Sequence, residues 1–437
     1  MRPDFPFKPS AFPFFYGWVI LGAATLGIAM SMPGQTMGVS VFTDHLIQAT
    51  GLTRLEISNA YLLGTLVSGL LLPYGGTLVD RFGVRRIVVA ACAGLAGALV
   101  LLSNSDRLAG TLASQAGWLS VGAAAWGVLA LGFTGIRFAG QGMLTLVSRT
   151  MLAHWFESRR GLVSALSGPF VNFAFASAPL LLSLWIARAG WRGAWLEMAL
   201  GVGVVMGSLG WLLFRDNPEE CGLRADGAEA APAAAGGAPE PARRDFTRGE
   251  ALRTGGFWLV TLGIATQALV GTGIAFHIVD LGAEAGLSET NAVSIFLPIA
   301  LMSVPIGFAA GAALDRFPVR YSMMLVMLGQ CVMFAGMANF GDPWLRAAGI
   351  AGWSLGAGFF GPLMTAAMPN FFGRTHIGAI QGAMMMCLVI SSALGPSALA
   401  LFKDAFGSYA PGLYALILLP LTVFVAAPFT GDPRRAD

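Results

Sequence analysis

The sequence predicts an all-α membrane protein: twelve transmembrane helices in two six-helix bundles, with both termini in the cytoplasm. Three observations predict it. First, 56% of the 437 residues are hydrophobic and only 11% are charged, against roughly 25% charge in a soluble domain. That balance suits a solvent that rewards apolar surface, which is lipid. Second, twelve continuous apolar runs each approach the ~20 residues a helix needs to cross hydrocarbon. Third, one long polar, low-complexity stretch divides six runs from six. A formal net charge of +3 implies no acidic partner. A nucleic-acid binder, a secreted disulfide scaffold and a coiled coil are all excluded by this composition.

The expected spans are 15–43, 56–79, 86–104, 118–150, 161–187, 193–214, 257–281, 290–313, 320–340, 344–371, 377–402 and 409–429. The runs are continuous rather than alternating and exceed the ~10 residues of a barrel strand. The first run, Phe14 to Phe42, is too long for a signal peptide and lacks a small-residue cleavage site, so it reads as an uncleaved first helix. With the N-terminus inside, the cytoplasmic side carries 19 of 26 basic residues, the other side six, and Arg137 sits within a span. That asymmetry fixes the expected orientation. The polar break from Arg215 to Gly256 centres on GAEAAPAAAGGAPEPARR, which has no periodic apolar face and cannot bury enough to fold alone. The expected organisation is therefore a first bundle over 1–214, a cytoplasmic linker over 215–256 and a second bundle over 257–437. Cys92, Cys221, Cys331 and Cys387 show no metal-site or disulfide spacing and read as small packed residues.

The halves repeat. GTLVDRFGVRR spans Gly76 to Arg86, and GAALDRFPVR spans Gly311 to Arg320, an offset of 235 residues. Trp18 and Trp258 agree with it, and WFESRRG at 155–161 has a looser counterpart in FFGRTHIG at 371–378. Two halves in the same orientation form a parallel repeat about an axis along the membrane normal.

On these residues the chain resembles the major facilitator superfamily over essentially its whole length. The Gly-x-x-x-Asp-Arg-x-Gly-x-Arg-Arg loop is here Gly76, Asp80, Arg81, Gly83, Arg85 and Arg86, repeated in degraded form by Gly311, Asp315, Arg316 and Arg320. GWR at 190–192, RDNPEECG at 215–222, FWLVTLG at 257–263 and NFFGRTHIGAIQG at 370–382 further resemble bacterial monocarboxylate and oxalate/formate porters. The resemblance implies that Asp80 and Arg81 help latch the two halves in the outward-facing state and release when the cytoplasmic side opens. Simple retention of arginines inside competes with that role. In the second copy Pro318 replaces the glycine and a basic residue is missing.

Arg137 falls near the midpoint of the fourth span, where an unneutralised cation costs ~2.5–3.5 kcal/mol even on insertion scales. Two readings stand: it binds an anionic solute or joins proton coupling, or it braces helices through backbone carbonyls. Gln141, Asn172, Gln267, Ser391 and Ser392 lie at plausible cavity depth, and Gln35 follows the Pro33–Gly34 break in the first span. Mid-depth amides serve either as solute contacts or as interhelical glue. Phe359, Phe360 and Trp353 are candidates for an aromatic wall, with lipid or core packing as the alternative. His277, in the outer half of the seventh span, is a proton-coupling candidate or a hydrogen-bonded structural residue.

No Asp or Glu lies near the middle of any expected span, and the eighth and eleventh spans lack a mid-depth cation. A dicarboxylate needing two cationic contacts is thereby disfavoured. The expected function is a secondary transporter of a small organic solute, a monocarboxylate or similar monoanion, by alternating access with proton coupling or exchange. The alternatives are an exporter of neutral or lipophilic compounds and a transporter-like sensor. No nucleotide-binding loop, nucleophile–base pair or metal-ligand cluster appears, so neither enzyme activity nor a cofactor is expected. The expected setting is a multi-pass protein of the bacterial inner membrane, monomeric, touching lipids and no nucleic acid.

Overall fold

The computed structural model describes residues 4–227 and 245–431. The linker's Ala/Pro-rich centre lies outside the described residues. Among the described residues the chain is helical throughout, with no strand. Ten stretches are long and apolar enough to cross a membrane: Gly17–Gly34, Leu55–Phe82, Val84–Ser103, Val121–Trp155, Arg160–Leu213, Gly255–Glu284, Asn291–Arg316, Val319–Ala338, Ile377–Phe406 and Ala410–Phe429. The Arg160–Leu213 stretch holds 54 residues, and at 1.5 Å per residue would reach about 80 Å. It breaks at Gly190, whose φ of 71° and ψ of 162° are non-helical. The helix Pro343–Pro362 continues through wide π-type turns at Leu363–Ala367 into Met368–Phe372, adding a further helical run outside those ten.

Local chemistry sets the ends. Thr53 and Glu56 form a capping box, and Thr53 Oγ1 accepts from the Glu56 N–H at 3.2 Å. Thr254 caps Gly255–Glu284, and Asp342 caps Pro343–Pro362. These side chains occupy N–H groups that the first helical turn leaves unpaired.

The chain divides into two compact units. The first comprises Met1–Trp155, Phe170–Glu229 and Gln381–Met386; the second comprises Phe156–Pro169, Ala230–Ile380 and Cys387–Asp437. In the first unit, Gly34 abuts the Ile136 carbonyl and the Gln141 N–H, so any side chain at 34 would collide with backbone. An aromatic cluster of Phe7, Phe12, Tyr16 and Trp155 closes one end of the same unit. In the second unit Val270, Ile274, Ile278 and Leu281 pack with Met333, Phe334, Met337 and Leu413. Gly352 meets Gly329, and Gly349 meets Gly336, which lets two helices approach to backbone contact.

The described linker flanks are anchored. Arg215 is buried, and its carbonyl accepts from Trp155 Nε1 at 3.0 Å. Burial pushes the Cys221 thiol up to about 11, so at neutral pH it stays a thiol. On the other flank, Asp245 Oδ2 accepts from the Arg374 and Thr375 N–H groups.

Candidate functional site

Arg137 opens a π-type segment, Arg137–Leu144, inside the long Val121–Trp155 helix. Wide turns of this kind leave backbone groups off the regular ladder and concentrate at functional positions. The side chain is 3% exposed. Nη1 donates to the Gly34 carbonyl at 3.1 Å, and the guanidinium lies 5.4 Å from the Tyr61 ring centroid. Its Nε has no hydrogen-bond partner among the described residues. The geometry therefore contains the bracing contact and, beside it, a buried donor, Nε, without a partner among the described residues.

The break that Arg137 braces is polar. Ser31 donates to Ile28 and accepts from Gln35 Nε2 at 3.2 Å and Thr145 Oγ1 at 3.3 Å. Tyr61 donates to Thr36 Oγ1 at 3.1 Å. The Gln141 backbone N–H lies against Gly34, while its side-chain Oε1 is buried and unpartnered among the described residues. Gln35, Gln141 and Arg137 thus gather around one helix break. Asn172 belongs to the same unit but is exposed. Sequence reasoning missed Ser31, Tyr61 and Thr145. Ser31 and Thr145 are small hydroxyls among many, Thr145 bonding 114 residues away, and Tyr61 is one aromatic among several, so none carried a distinguishing signal.

In the second unit Gln267 lies over Gly356, and its buried Oε1 has no partner among the described residues. Thr272 and Ser392 share a 2.8 Å hydrogen bond, next to half-buried Ser391. Phe359 is buried and Phe360 half-buried, as consecutive helical positions point about 100° apart. Trp353 pairs edge-on with Phe296 at 5.6 Å. His277 is held at both ring nitrogens, by the Pro396 carbonyl and the Tyr409 hydroxyl.

The repeated loops resolve into caps. Gly76 is buried, Asp80 half-buried, and Arg81 and Arg86 exposed, with Arg81 over the Phe82 ring. Gly83 alone joins two helices at φ 83° and ψ 158°, a region open essentially to glycine. A side chain there would also strike the Asp216 carboxylate. That carboxylate accepts from the Arg85 N–H at 3.0 Å, capping the Val84–Ser103 helix. The Arg85 side chain is 2% exposed and donates to the Trp211 and Phe5 carbonyls, both at 2.7 Å. RDNPEECG is thus the structural partner of this loop.

In the second copy Asp315 is exposed and accepts from the Gly161 and Leu162 N–H groups at 2.7 and 3.1 Å. It occupies the positive end of the helix that Arg160 begins. Arg316 is exposed. Phe317 and Pro318, both extended, make this corner with two residues of negative φ, which is why no glycine is required.

A model of the Major Facilitator Superfamily matches residues 14–396. The chain belongs to that superfamily. It is 24% identical over 371 residues to the uncharacterized MFS-type transporter YhjX of Escherichia coli K12, covering 81% of this chain and 82% of the relative. It is 25% identical over 331 residues to the probable sulfoacetate transporter SauU of Cupriavidus necator H16, covering 69% of this chain and 66% of that relative. A bacterial homologue of the iron transporter ferroportin, solved in an outward-facing state, superposes with a TM-score of 0.69 at 15% identity, over 93% of this chain and 99% of the other. This superfamily member is accordingly a multi-pass membrane transporter. The likeness to the solved structure concerns the fold alone.

Proposed function

We propose that this chain is a secondary transporter of a small organic monoanion, a monocarboxylate or close analogue, in the bacterial inner membrane. Arg137 carries the reading. It is a buried cation deep in an apolar helix, with its Nε unpartnered and no acidic partner among the described residues. A cation so placed costs several kcal/mol unless an anion or dipole offsets it. The Gly34 carbonyl supplies a dipole; a solute carboxylate would supply the charge. Gln35 and Gln141 stand beside it as further contacts, and Gln267 is the corresponding orphaned amide of the second unit.

We further infer twelve crossings with both termini cytoplasmic. The 54-residue stretch divides at Gly190, and the Pro343–Phe372 run supplies another crossing. Rocking of six-helix halves would then alternate access, as parallel repeats permit. The gating loops would work through the Asp315 cap and the exposed Arg81, Arg86 and Arg316, with Asp80 beside them. Arg85 is committed to carbonyls.

The name of one relative points to sulfoacetate, an organic acid with two anionic groups. A single cation at mid-span favours a single anionic group. The test is uptake of labelled pyruvate and sulfoacetate into proteoliposomes. Saturable pyruvate uptake is expected, with weaker transport of sulfoacetate. Arg137→Gln should reduce it at least tenfold, since a charge-assisted hydrogen bond contributes ~1.5–3 kcal/mol. Normal kinetics in that variant would remove Arg137 as the anion site. Preferential sulfoacetate uptake would call for a second cation, and Arg149 lies on the same helix.

A further inference from the structure

The Gly255–Glu284 helix ends with His277, Asp280 and Glu284 spaced three and four residues apart, hence on one face. The face is fully engaged. His277 Nε2 lies 2.9 Å from the Pro396 carbonyl oxygen and Nδ1 lies 3.0 Å from the Tyr409 hydroxyl. The same hydroxyl lies 2.7 Å from Asp280 Oδ2. Tyr409 is 3% exposed.

Counting hydrogens limits the states that this geometry accommodates. A carbonyl oxygen only accepts, so Nε2 must carry a hydrogen. Two contacts remain, Nδ1 to phenol and phenol to carboxylate, and each needs one hydrogen. The phenol supplies one. Burial first, and the Asp280 carboxylate next, hold Tyr409 well above the ordinary tyrosine range, so that hydrogen stays. The second has two homes. If Tyr409 donates to Asp280, Nδ1 is also protonated and the ring is a cation. If Tyr409 donates to Nδ1, Asp280 is a neutral acid donating to the phenol oxygen. A neutral ring beside an ionised carboxylate would leave two acceptors facing each other across 3.0 Å or less.

We propose that His277, Tyr409 and Asp280 form a proton-binding site, and that its proton is the coupling ion of this transporter. The coupling clause rests on the transport reading above. Charged groups surround the trio. On the same helix Glu284 is paired with Lys403 and accepts from Ser408 Oγ and the Tyr409 N–H. Lys403 also lies 5.1 Å from the Tyr409 ring centroid. From the Ile377–Phe406 helix Asp404 adds a further carboxylate. Asp342, before Pro343–Pro362, joins Glu284 and Ser408 in lining a cavity of about 350 Å³. Lys403 also interacts with Asp280. Ile274, Ile278 and Leu413 close the apolar side, and the Phe276 ring stands edge-on to the imidazole at 5.1 Å.

The site sits at a joint. Pro396 lies inside the continuous Ile377–Phe406 helix directly after Gly395, which packs on the Leu269 carbonyl and Gly273. Release of the proton removes one hydrogen bond from the chain linking this proline, through His277, to Tyr409 at the start of Ala410–Leu416. The proposed orientation puts the cavity on the outer side, where an external proton would enter.

The trio can be read without any solute. In nanodiscs, 15N-histidine and 13C-aspartate spectra would be recorded from pH 6 to 10, with His277→Asn assigning the ring among four histidines. Expected is one proton held by the trio beyond a neutral ring and an ionised carboxyl, seen as a doubly protonated ring or a protonated Asp280, and lost in a single step within the series. Asp280→Asn should give a neutral ring at pH 7, because the amide itself supplies the missing hydrogen. A neutral ring with ionised Asp280 throughout the series in the wild type overturns the site. In proteoliposomes an acid-outside gradient should stimulate pyruvate uptake severalfold, and Asp280→Asn should bring that ratio to about one. Persistent stimulation in the variant overturns the coupling clause. Absence of any saturable pyruvate transport would fell the monoanion reading while leaving the spectroscopic result standing.

Discussion

Arg137, Gly83 and Arg85 show how differently single residues of one chain can be read. Arg137 was legible from depth alone, because no other arginine falls so far from both ends of its span. Its bond to Gly34, 103 residues away, was not legible, since nothing local links them. Gly83 was legible as a motif position, and its backbone now gives the reason: φ 83° with a carboxylate where Cβ would stand. Gly83→Ala should cost on the order of 1–3 kcal/mol for the disfavoured backbone alone, lowering the unfolding midpoint in detergent by several degrees. An unchanged midpoint would contradict the tight corner. Arg85 matched the motif equally well, yet it binds carbonyls at Trp211 and Phe5. Motif membership marked its importance without revealing its partners.

At the level of elements, carboxylates at helix starts recur: Asp216 before Val84–Ser103 and Asp315 before the Arg160 helix. Both come from distant sequence, so neither was visible as an N-cap. The helix Ser105–Ala116, in the gap between the expected spans 86–104 and 118–150, is tied by Arg192 to Asp106 in a two-pronged pair at 2.6 and 2.8 Å. The Arg192 hydrogen bond holds the Asp106 carboxyl below its usual range. A depressed folded value adds stability above the unfolded value near 3.9. That contribution is lost as pH falls through the folded value. Asp106→Asn should therefore lower the unfolding midpoint at pH 7, and its difference from wild type should shrink below about pH 4. A difference independent of pH would mean the charge contributes nothing.

At the scale of the whole molecule, the proposed topology makes a labelling pattern. Ser114 and Gly190 are exposed and would face outward, whereas exposed Gly249 would face the cytoplasm. Impermeant maleimide applied to intact cells should modify Ser114→Cys and Gly190→Cys, and should reach Gly249→Cys only after permeabilisation. The reverse pattern would invert the orientation. Protection of Gly190→Cys on both sides would deny that the 54-residue stretch crosses twice.

The membrane setting, the helical class, the duplicated loop and the isolation of Arg137 were determined by sequence alone. They depend on sums and spacings along the chain, such as apolar length, charge scarcity and a 235-residue offset. The partners of polar side chains were decided only by tertiary structure. Arg85 meets a carbonyl 126 residues away, and His277 meets a hydroxyl 132 residues away. In a low-dielectric interior each buried donor must find an acceptor. Which acceptor it finds is set by how helices pack, and no local pattern encodes that.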